Sequence, residues 1–176
     1  MHLSDKIKSV IRDIPDFPKP GIMFKDITPI FLEPDLCKEI TDAFCQPLYS
    51  TKPDAIIGIE SRGFLFGMLI AHRLDVPFVM VRKAGKLPYK TLSHEYDLEY
   101  GSAKIEMHED VLQKGWNVMI HDDLLATGGT AEAAAQLVKK CGAYVSSFTF
   151  VVELDFLKGK ERLQTHTNNI QCLVHY

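Results

Sequence analysis

The chain lacks the features that would tie it to nucleic acid, to a membrane or to a disulfide framework. Its 20 Lys and Arg are outnumbered by 23 Asp and Glu, and a net charge of -3 offers no basic field to a polyanion. No continuous apolar run approaches the length of a membrane span, and the opening MHLSDKIKSVIRDIPDF carries acids in its first turns, unlike a secretory leader. Cys37, Cys45, Cys141 and Cys172 show no C-x-x-C spacing and no clustering with histidines, which argues against a zinc site and against disulfides. Internal repeats, low-complexity tracts and linkers are missing as well. These absences leave one compact soluble domain over residues 1–176, expected in the cytoplasm, with no nucleic-acid or membrane partner. A chain of this length buries roughly 70% of the surface that it exposes when unfolded.

What is present is an alternation of helical and strand patterns. Leu3, Ile7, Val10 and Ile11 mark one face of a first helix, with Ser4 as its cap and Pro15 and Pro18 closing it. Residues 36–46 predict a second helix, 55–60 a buried strand, and 63–74, apolar almost all round, a helix packed on a sheet. Residues 76–81 predict another strand, and 82–93, rich in Lys, Gly and Pro, a loop. Tyr96, Leu98 and Tyr100 then alternate with Asp97 and Glu99, and Ala103, Ile105 and Met107 with Lys104 and Glu106, as in a two-stranded ribbon turning near Gly101. Its polar face and flanking loop suggest a mobile flap. Residues 116–121 predict a buried strand, 131–141 an Ala-rich helix ended by Gly142, and 145–154 a further strand. Strand, helix and strand in succession imply an α/β fold, with a central, mainly parallel sheet, helices on both faces, and ligands at the carboxyl ends of the strands.

The polar motifs fall at those ends. In VMIHDDLLATGGTA, residues 118–131, Asp122 and Asp123 stand where the strand leaves the sheet, and adjacent positions can serve different partners, such as sugar hydroxyls and an amide or cation. Ala126, Thr127, Gly128, Gly129 and Thr130 follow, offering backbone N–H groups and hydroxyls without bulk at the positive end of a helix, a setting suited to phosphate. Ser61 and Arg62 sit at another strand-to-helix turn and can grip a diphosphate, the alternative being a surface arginine beside a helix cap. Arg82, Lys83 and Lys86 cluster at the next strand end, where charge patterning by itself leaves a solvated face open.

DDLLATGGTA resembles the phosphoribosyl-diphosphate signature of the type I phosphoribosyltransferases, in the form carried by the adenine phosphoribosyltransferase family. GIESRGF is similar to that family's diphosphate loop, with Glu60 where an acid is usual, and RKAGKLP to its basic segment. FPKPGIMFKDITP, residues 17–29, is similar to its base-binding segment, with Lys25 in place of a frequent arginine. VVELDFLKGKERL extends the likeness to residue 163, and Glu153 and Leu154 are expected to wall the base pocket. His121 departs from the usual apolar residue and reads as a satisfied strand-end histidine.

The resemblance implies the type I phosphoribosyltransferase fold with a small base-binding hood over residues 1–34 and a flexible β-ribbon flap over 84–107. It implies that Asp122 and Asp123 hold the ribose hydroxyls, and that Ala126, Thr127, Gly128, Gly129 and Thr130 cradle the 5-phosphate. Diphosphate falls to Ser61, Arg62, Arg82, Lys83 and Lys86, and adenine to Met23, Phe24 and Lys25. Phe24 would stack on the base, where an isolated Phe reads as core. Glu99 is the expected general acid or base at adenine N7, with Tyr100 orienting the flap. Mg2+ is expected as the diphosphate chelate, with no dedicated cage and at most Asp122 or Asp123 as protein ligands. A homodimer is implied too. The implied reaction joins adenine and 5-phospho-α-D-ribose 1-diphosphate to give AMP and diphosphate. The alternatives are a 6-oxopurine phosphoribosyltransferase and a non-catalytic regulator that senses the sugar diphosphate, the latter expected to carry a DNA-binding module or basic face that this sequence lacks.

Overall fold

The computed structural model describes residues 1–97 and 101–176. In chain order the elements are α1 (Leu3–Val10), β1 (Arg12–Pro15), β2 (Met23–Asp26), α2 (Pro34–Cys45), β3 (Ala55–Ile59), α3 (Gly63–Leu74) and β4 (Phe78–Lys83). They continue with β5 (Thr91–Asp97), β6 (Ser102–His108), β7 (Asn117–Leu125), α4 (Gly129–Lys140), β8 (Tyr144–Glu153), α5 (Gly159–Leu163) and β9 (Ile170–His175). Seven strands form one sheet in the order β5-β6-β4-β3-β7-β8-β9. β4, β3, β7, β8 and β9 run parallel, whereas β5 and β6 form an antiparallel ribbon joined to β4 through Arg82 opposite Glu106 and Lys83 opposite Ile105.

The period-2 alternation of the buried strands divides the core in two. Ile57, Val118 and Ile120 face the Ala-rich helix α4, and Ile56 and Met119 face α1, α2 and α3. Small residues at Ala131, Ala134 and Ala135 let α4 lie close on the sheet, while Phe44 and Phe66 fill the wider space on the other face. Each of those buried phenylalanines contributes about 2 kcal/mol of apolar burial. Helices therefore cover both faces, as the alternation of elements requires.

Several boundaries differ from the expectations. β7 runs on to Leu125 because Asp122, Leu124 and Leu125 still pair with Phe150, Val152 and Glu153 of β8, so the acidic pair lies inside the strand. The ladder bonds override the poor strand propensity of aspartate. α4 starts at Gly129, two residues before the alanine run, and α1 is preceded by His2, with no side-chain cap from Ser4. The segment after β4 becomes strand again at Thr91, earlier than its Lys, Gly and Pro content suggests. The β1–β2 hairpin, with Ile14 opposite Phe24, and the edge strand β9 were not expected. Leu98, Glu99 and Tyr100 lie outside the described residues.

His121 lies in the core rather than at a strand end. It is fully buried between Phe44 and Phe66, at ring-centroid distances of 5.3 Å and 6.4 Å, and its Nδ1 meets Thr149 Oγ1 at 2.9 Å. Nε2 has no hydrogen-bond partner among the described residues. Burial pushes the imidazole down to about 3, from an ordinary 6.5. Between those values the unfolded chain binds a proton that the folded chain refuses, so stability falls as pH drops below 6.5. Urea titrations should show His121→Leu flattening this dependence, removing up to about 1.4 kcal/mol per pH unit of acid destabilisation. Parallel stability-against-pH curves for the two proteins would refute the assignment.

Candidate active site

Two strand ends converge where β3 and β7 lie side by side. β3 stops at Ile59, residues Glu60 to Arg62 turn, with the Glu60–Ser61 peptide cis, and α3 starts at Gly63. A methyl group at position 63 would lie 2.9 Å from both the His121 carbonyl oxygen and Asp122 Oδ1, so only glycine lets the start of α3 touch β7. That closeness carries Arg62 onto the acidic pair: its Nε donates to Asp123 Oδ2 at 2.5 Å. The guanidinium also lies 5.3 Å from the centre of the Phe24 ring, which joins the hairpin to the strand end.

The two acids are not equivalent. Asp123 makes the ion pair, while Asp122 Oδ1 accepts the Asp123 backbone N–H at 2.8 Å. Burial, and then the neighbouring Asp123 charge, push the Asp122 carboxyl well above the usual carboxylate range. For Arg62 burial works against the charge, but Asp123, Asp122 and Asp26 outweigh it and raise its pKa. The site thus combines a committed arginine–carboxylate pair with a carboxyl biased toward its protonated, donor form.

A cationic bank faces them. Arg82 reaches Glu60 through Nε and Nη2, both at 3.2 Å, and the Lys83 backbone N–H donates to the same carboxylate at 2.9 Å. Burial alone would raise Glu60, but Arg82 and Lys83 overcome it and hold the carboxyl low. Residues 84–90 are fixed from beneath by Glu106, which accepts the N–H groups of Lys86 at 3.1 Å and Leu87 at 3.0 Å. Glu106 is only 6% exposed, and those backbone donors outweigh its burial to depress its pKa. Alternation alone puts Glu106 on the polar face of the ribbon, whereas the structure buries it opposite Arg82 across the β4–β6 ladder, a pairing with no signal in the sequence.

The third wall is the small-residue loop. Gly128 caps α4 with φ of 79°, and a methyl group there would lie 2.8 Å from the Gly159 carbonyl oxygen, so α5 packs directly behind the loop. Arg162 of α5 pairs with Glu132 in the first turn of α4. From the ribbon, Tyr96 brings its hydroxyl to 3.1 Å from Thr130 Oγ1, a contact absent from the sequence reading. Together these walls enclose a cavity of about 360 Å³ lined by Glu60, Ser61, Arg62, Arg82, Lys83, Asp122, Asp123 and Thr130, among others.

Lys86, Met23, Phe24, Lys25 and residues 126–129 are not among the residues that line this cavity. Lys86 turns its carbonyl to Arg82 Nη1 at 3.1 Å, and its side chain is exposed. Met23 is 49% exposed on β2, and Phe24 packs edge-on against Phe17 with centroids 5.1 Å apart. Lys25 is held by Asp13 at 2.7 Å and sits 3.8 Å from the centre of the Tyr176 ring. Glu99 and Tyr100 lie outside the described residues.

A phosphoribosyl transferase domain matches residues 32–174. The chain belongs to the phosphoribosyltransferase family. It is 52% identical over 174 residues to an adenine phosphoribosyltransferase of Cytophaga hutchinsonii, covering 99% of this chain and 96% of that one. The crystal structure of the adenine phosphoribosyltransferase of Thermoanaerobacter pseudethanolicus superimposes with a TM-score of 0.94 at 47% identity, covering 99% and 100% of the two chains. The Saccharomyces cerevisiae adenine phosphoribosyltransferase, crystallised with an imino-altritol bisphosphate and adenine, gives 0.91 at 43% identity, covering 97% and 98%. These phosphoribosyltransferases share the architecture described above, a mainly parallel sheet with helices.

Gly63→Ala tests the junction. The backbone carbonyl of His121 cannot move aside as a side chain could, so α3 must retreat from β7. Urea denaturation should show a loss of about 1–3 kcal/mol, and phosphoribosyl transfer should fall at least about tenfold as Arg62 leaves Asp123. A variant with wild-type stability and activity would show that the close approach is not required.

Proposed function

We propose that the chain is a purine-salvage enzyme that transfers the 5-phosphoribosyl group of 5-phospho-α-D-ribose 1-diphosphate to adenine. The bond between the anomeric carbon and diphosphate breaks, a bond to the base nitrogen forms, and AMP and diphosphate leave. The observation that carries this reading is the meeting of three differently charged walls around one cavity: the acidic pair, the cationic bank and the loop at the head of α4. The name borne by relatives about half identical over nearly the whole chain supports it.

In this reading Asp122 and Asp123 hold the ribose hydroxyls, Asp122 as a donor and Asp123 as an acceptor oriented by Arg62. Ala126 to Thr130 cradle the 5-phosphate with backbone N–H groups at the positive end of α4. Ser61, Arg62, Arg82, Lys83 and Lys86 stabilise the negative charge that develops on the departing diphosphate, which is where an oxocarbenium-like transition state is most sensitive. The salt links of Arg62 to Asp123 and of Arg82 to Glu60 set these two guanidiniums in place beforehand. Residues 1–34 form the base-binding hood, with Phe24 stacking on adenine beside backbone groups of Met23 and Lys25. The Lys25 ammonium, tied to Asp13, is not free to serve the acceptor oxygen of a 6-oxopurine, which favours the 6-amino base. Residues 84–107 act as the flap. Glu99 exchanges the proton at N7, and Tyr100 orients the closure.

The pocket carboxylates suit Mg2+ as an ion brought by the diphosphate. Glu60 is already paired with Arg82 and Asp123 with Arg62, so the ion would be held mainly by substrate oxygens and water, with Asp122 or Asp123 as at most a supplementary ligand. When bound, Mg2+ neutralises charge on the leaving group. No helix of the described residues is long and apolar enough to cross a membrane, and we place the enzyme in the cytoplasm.

Assays with the sugar diphosphate, Mg2+ and each purine in turn should give AMP from adenine and little product from guanine or hypoxanthine. Turnover with a 6-oxopurine but not adenine would overturn the assignment. Glu99→Gln should lower kcat by about 10²-fold or more with little change in KM for adenine, and unchanged kcat would remove Glu99 from the proton transfer. We also infer a homodimer. Leu65, Met68 and Leu69 are 44%, 52% and 41% exposed at helical spacing on α3, an apolar stripe that a second copy can cover. Light scattering should show a dimer for the wild type and a monomer for Met68→Glu; a monomeric wild type would refute it.

A further inference from the structure

The ends of β8 and β9 bring together a set of ligating side chains that take no part in making or breaking bonds in the reading above; Glu153, expected as a wall of the base pocket, is among them and does not line the cavity of about 360 Å³. Glu153 closes β8, Asp155 lies two residues on, and His175 closes β9 directly opposite Glu153 in the parallel register. One ligand atom from each lies within 4.8 Å of the other two. The backbone fixes the arrangement: the Tyr176 N–H donates to the Glu153 carbonyl at 3.0 Å, and the Asp155 N–H to the Tyr176 carbonyl at 2.9 Å.

The proton inventory of this cluster does not close. His175 Nδ1 lies 2.9 Å from Asp155 Oδ1 and 3.5 Å from Glu153 Oε2. Both contacts fall on one nitrogen, so an N–H directed at Asp155 at 2.9 Å leaves Glu153, at 3.5 Å, at best the weak arm of a three-centre bond. The Glu153 side chain is only 6% exposed, and its Oε2 faces His175 with no hydrogen bond of normal geometry among the described residues. The neighbouring Cys172 thiol is pushed up by its own burial and then by its hydrogen bond to Glu153, so it stays a protonated S–H and gives that carboxyl only a weak donor. A buried carboxyl whose Oε2 has no hydrogen bond of its own and faces an imidazole nitrogen is an environment that a cation completes.

We propose that Glu153, Asp155 and His175 form a binding site for a divalent transition-metal ion of the Zn2+ class. Donors held at zinc distances in a tetrahedron lie about 3.3 Å apart, and the contacts of 2.9 Å and 3.5 Å bracket that spacing. An imidazole nitrogen with two carboxylate oxygens favours Zn2+ or a similar ion over Mg2+ and Ca2+, which take oxygen sets. Asp155 and His175 are 58% and 48% exposed, so the ion has an entry path and a fourth position for water. Cysteine spacing shows no trace of this site because no cysteine ligates. The bound ion braces the end of β9, where the Tyr176 ring lies beneath the Lys25 ammonium of the β1–β2 hairpin.

The test is calorimetric titration of the metal-stripped full chain with Zn2+ near neutral pH, with thermal melting in parallel. The wild type should bind one equivalent and melt at a higher temperature with Zn2+ than without, while Mg2+ alone should give neither effect. His175→Ala and Asp155→Asn, both at half-exposed positions, should each weaken Zn2+ binding at least about tenfold and abolish the melting shift. The proposal is overturned if the wild type shows no saturable Zn2+ binding, leaving only an imidazole–carboxylate pair. It is equally overturned if His175→Ala binds Zn2+ as the wild type does, because the ion then resides elsewhere.

Discussion

The pairing of Arg62 with Asp123 is the constraint on which the rest of the site depends. It joins the turn after β3 to the end of β7, two strands adjacent in the sheet but far apart in the chain. Nothing larger than hydrogen fits at position 63 while that contact stands. The pair also sets the difference between the two acids, since the guanidinium leans on Asp123 and leaves Asp122, half-buried, beside a negative neighbour. Arg62 also lies over the Phe24 ring and so links the hairpin to the sheet.

The same device recurs across the cavity with the roles rotated. Glu60 holds Arg82 and the Lys83 backbone, and Glu106 holds the backbone of Lys86 and Leu87. In each case a low-exposure carboxylate is satisfied by cations or N–H groups, and its charge is compensated locally. The guanidiniums of Arg62 and Arg82 and the backbone that carries Lys83 and Lys86 are thereby fixed before an anionic ligand arrives, so less reorganisation is left for the binding step. Exposed lysines and arginines without such anchors would have to be ordered by the ligand itself.

Much of this was legible in the sequence, and the rest was not for physical reasons. The acidic pair, the small-residue loop and Ser61–Arg62 are runs of neighbouring residues, so their chemistry can be seen without knowing the fold. The parallel sheet followed from the order of apolar stretches. Glu106 was misplaced because alternation tells which residues share a face but not which face another segment will cover. The β1–β2 hairpin was obscured by the Pro and Gly content between its strands, and β9 by partial burial at most of its positions. Lys25 with Asp13 and Tyr176, and Tyr96 with Thr130, are long-range pairs for which single-sequence reading has no signal.

The last of these pairs couples the ribbon to the loop. Each hydroxyl owns one proton and can also accept one, and either can be the donor between Tyr96 and Thr130. With Tyr96 donating, the Thr130 proton is left to turn toward an anion in the loop, and the two bonds polarise each other; with Thr130 donating, that proton must be redirected before an anion can take it. Occupancy of the loop thus selects the sense of the bond that tethers the ribbon, and two parts of the molecule with no covalent proximity are thermodynamically linked through it.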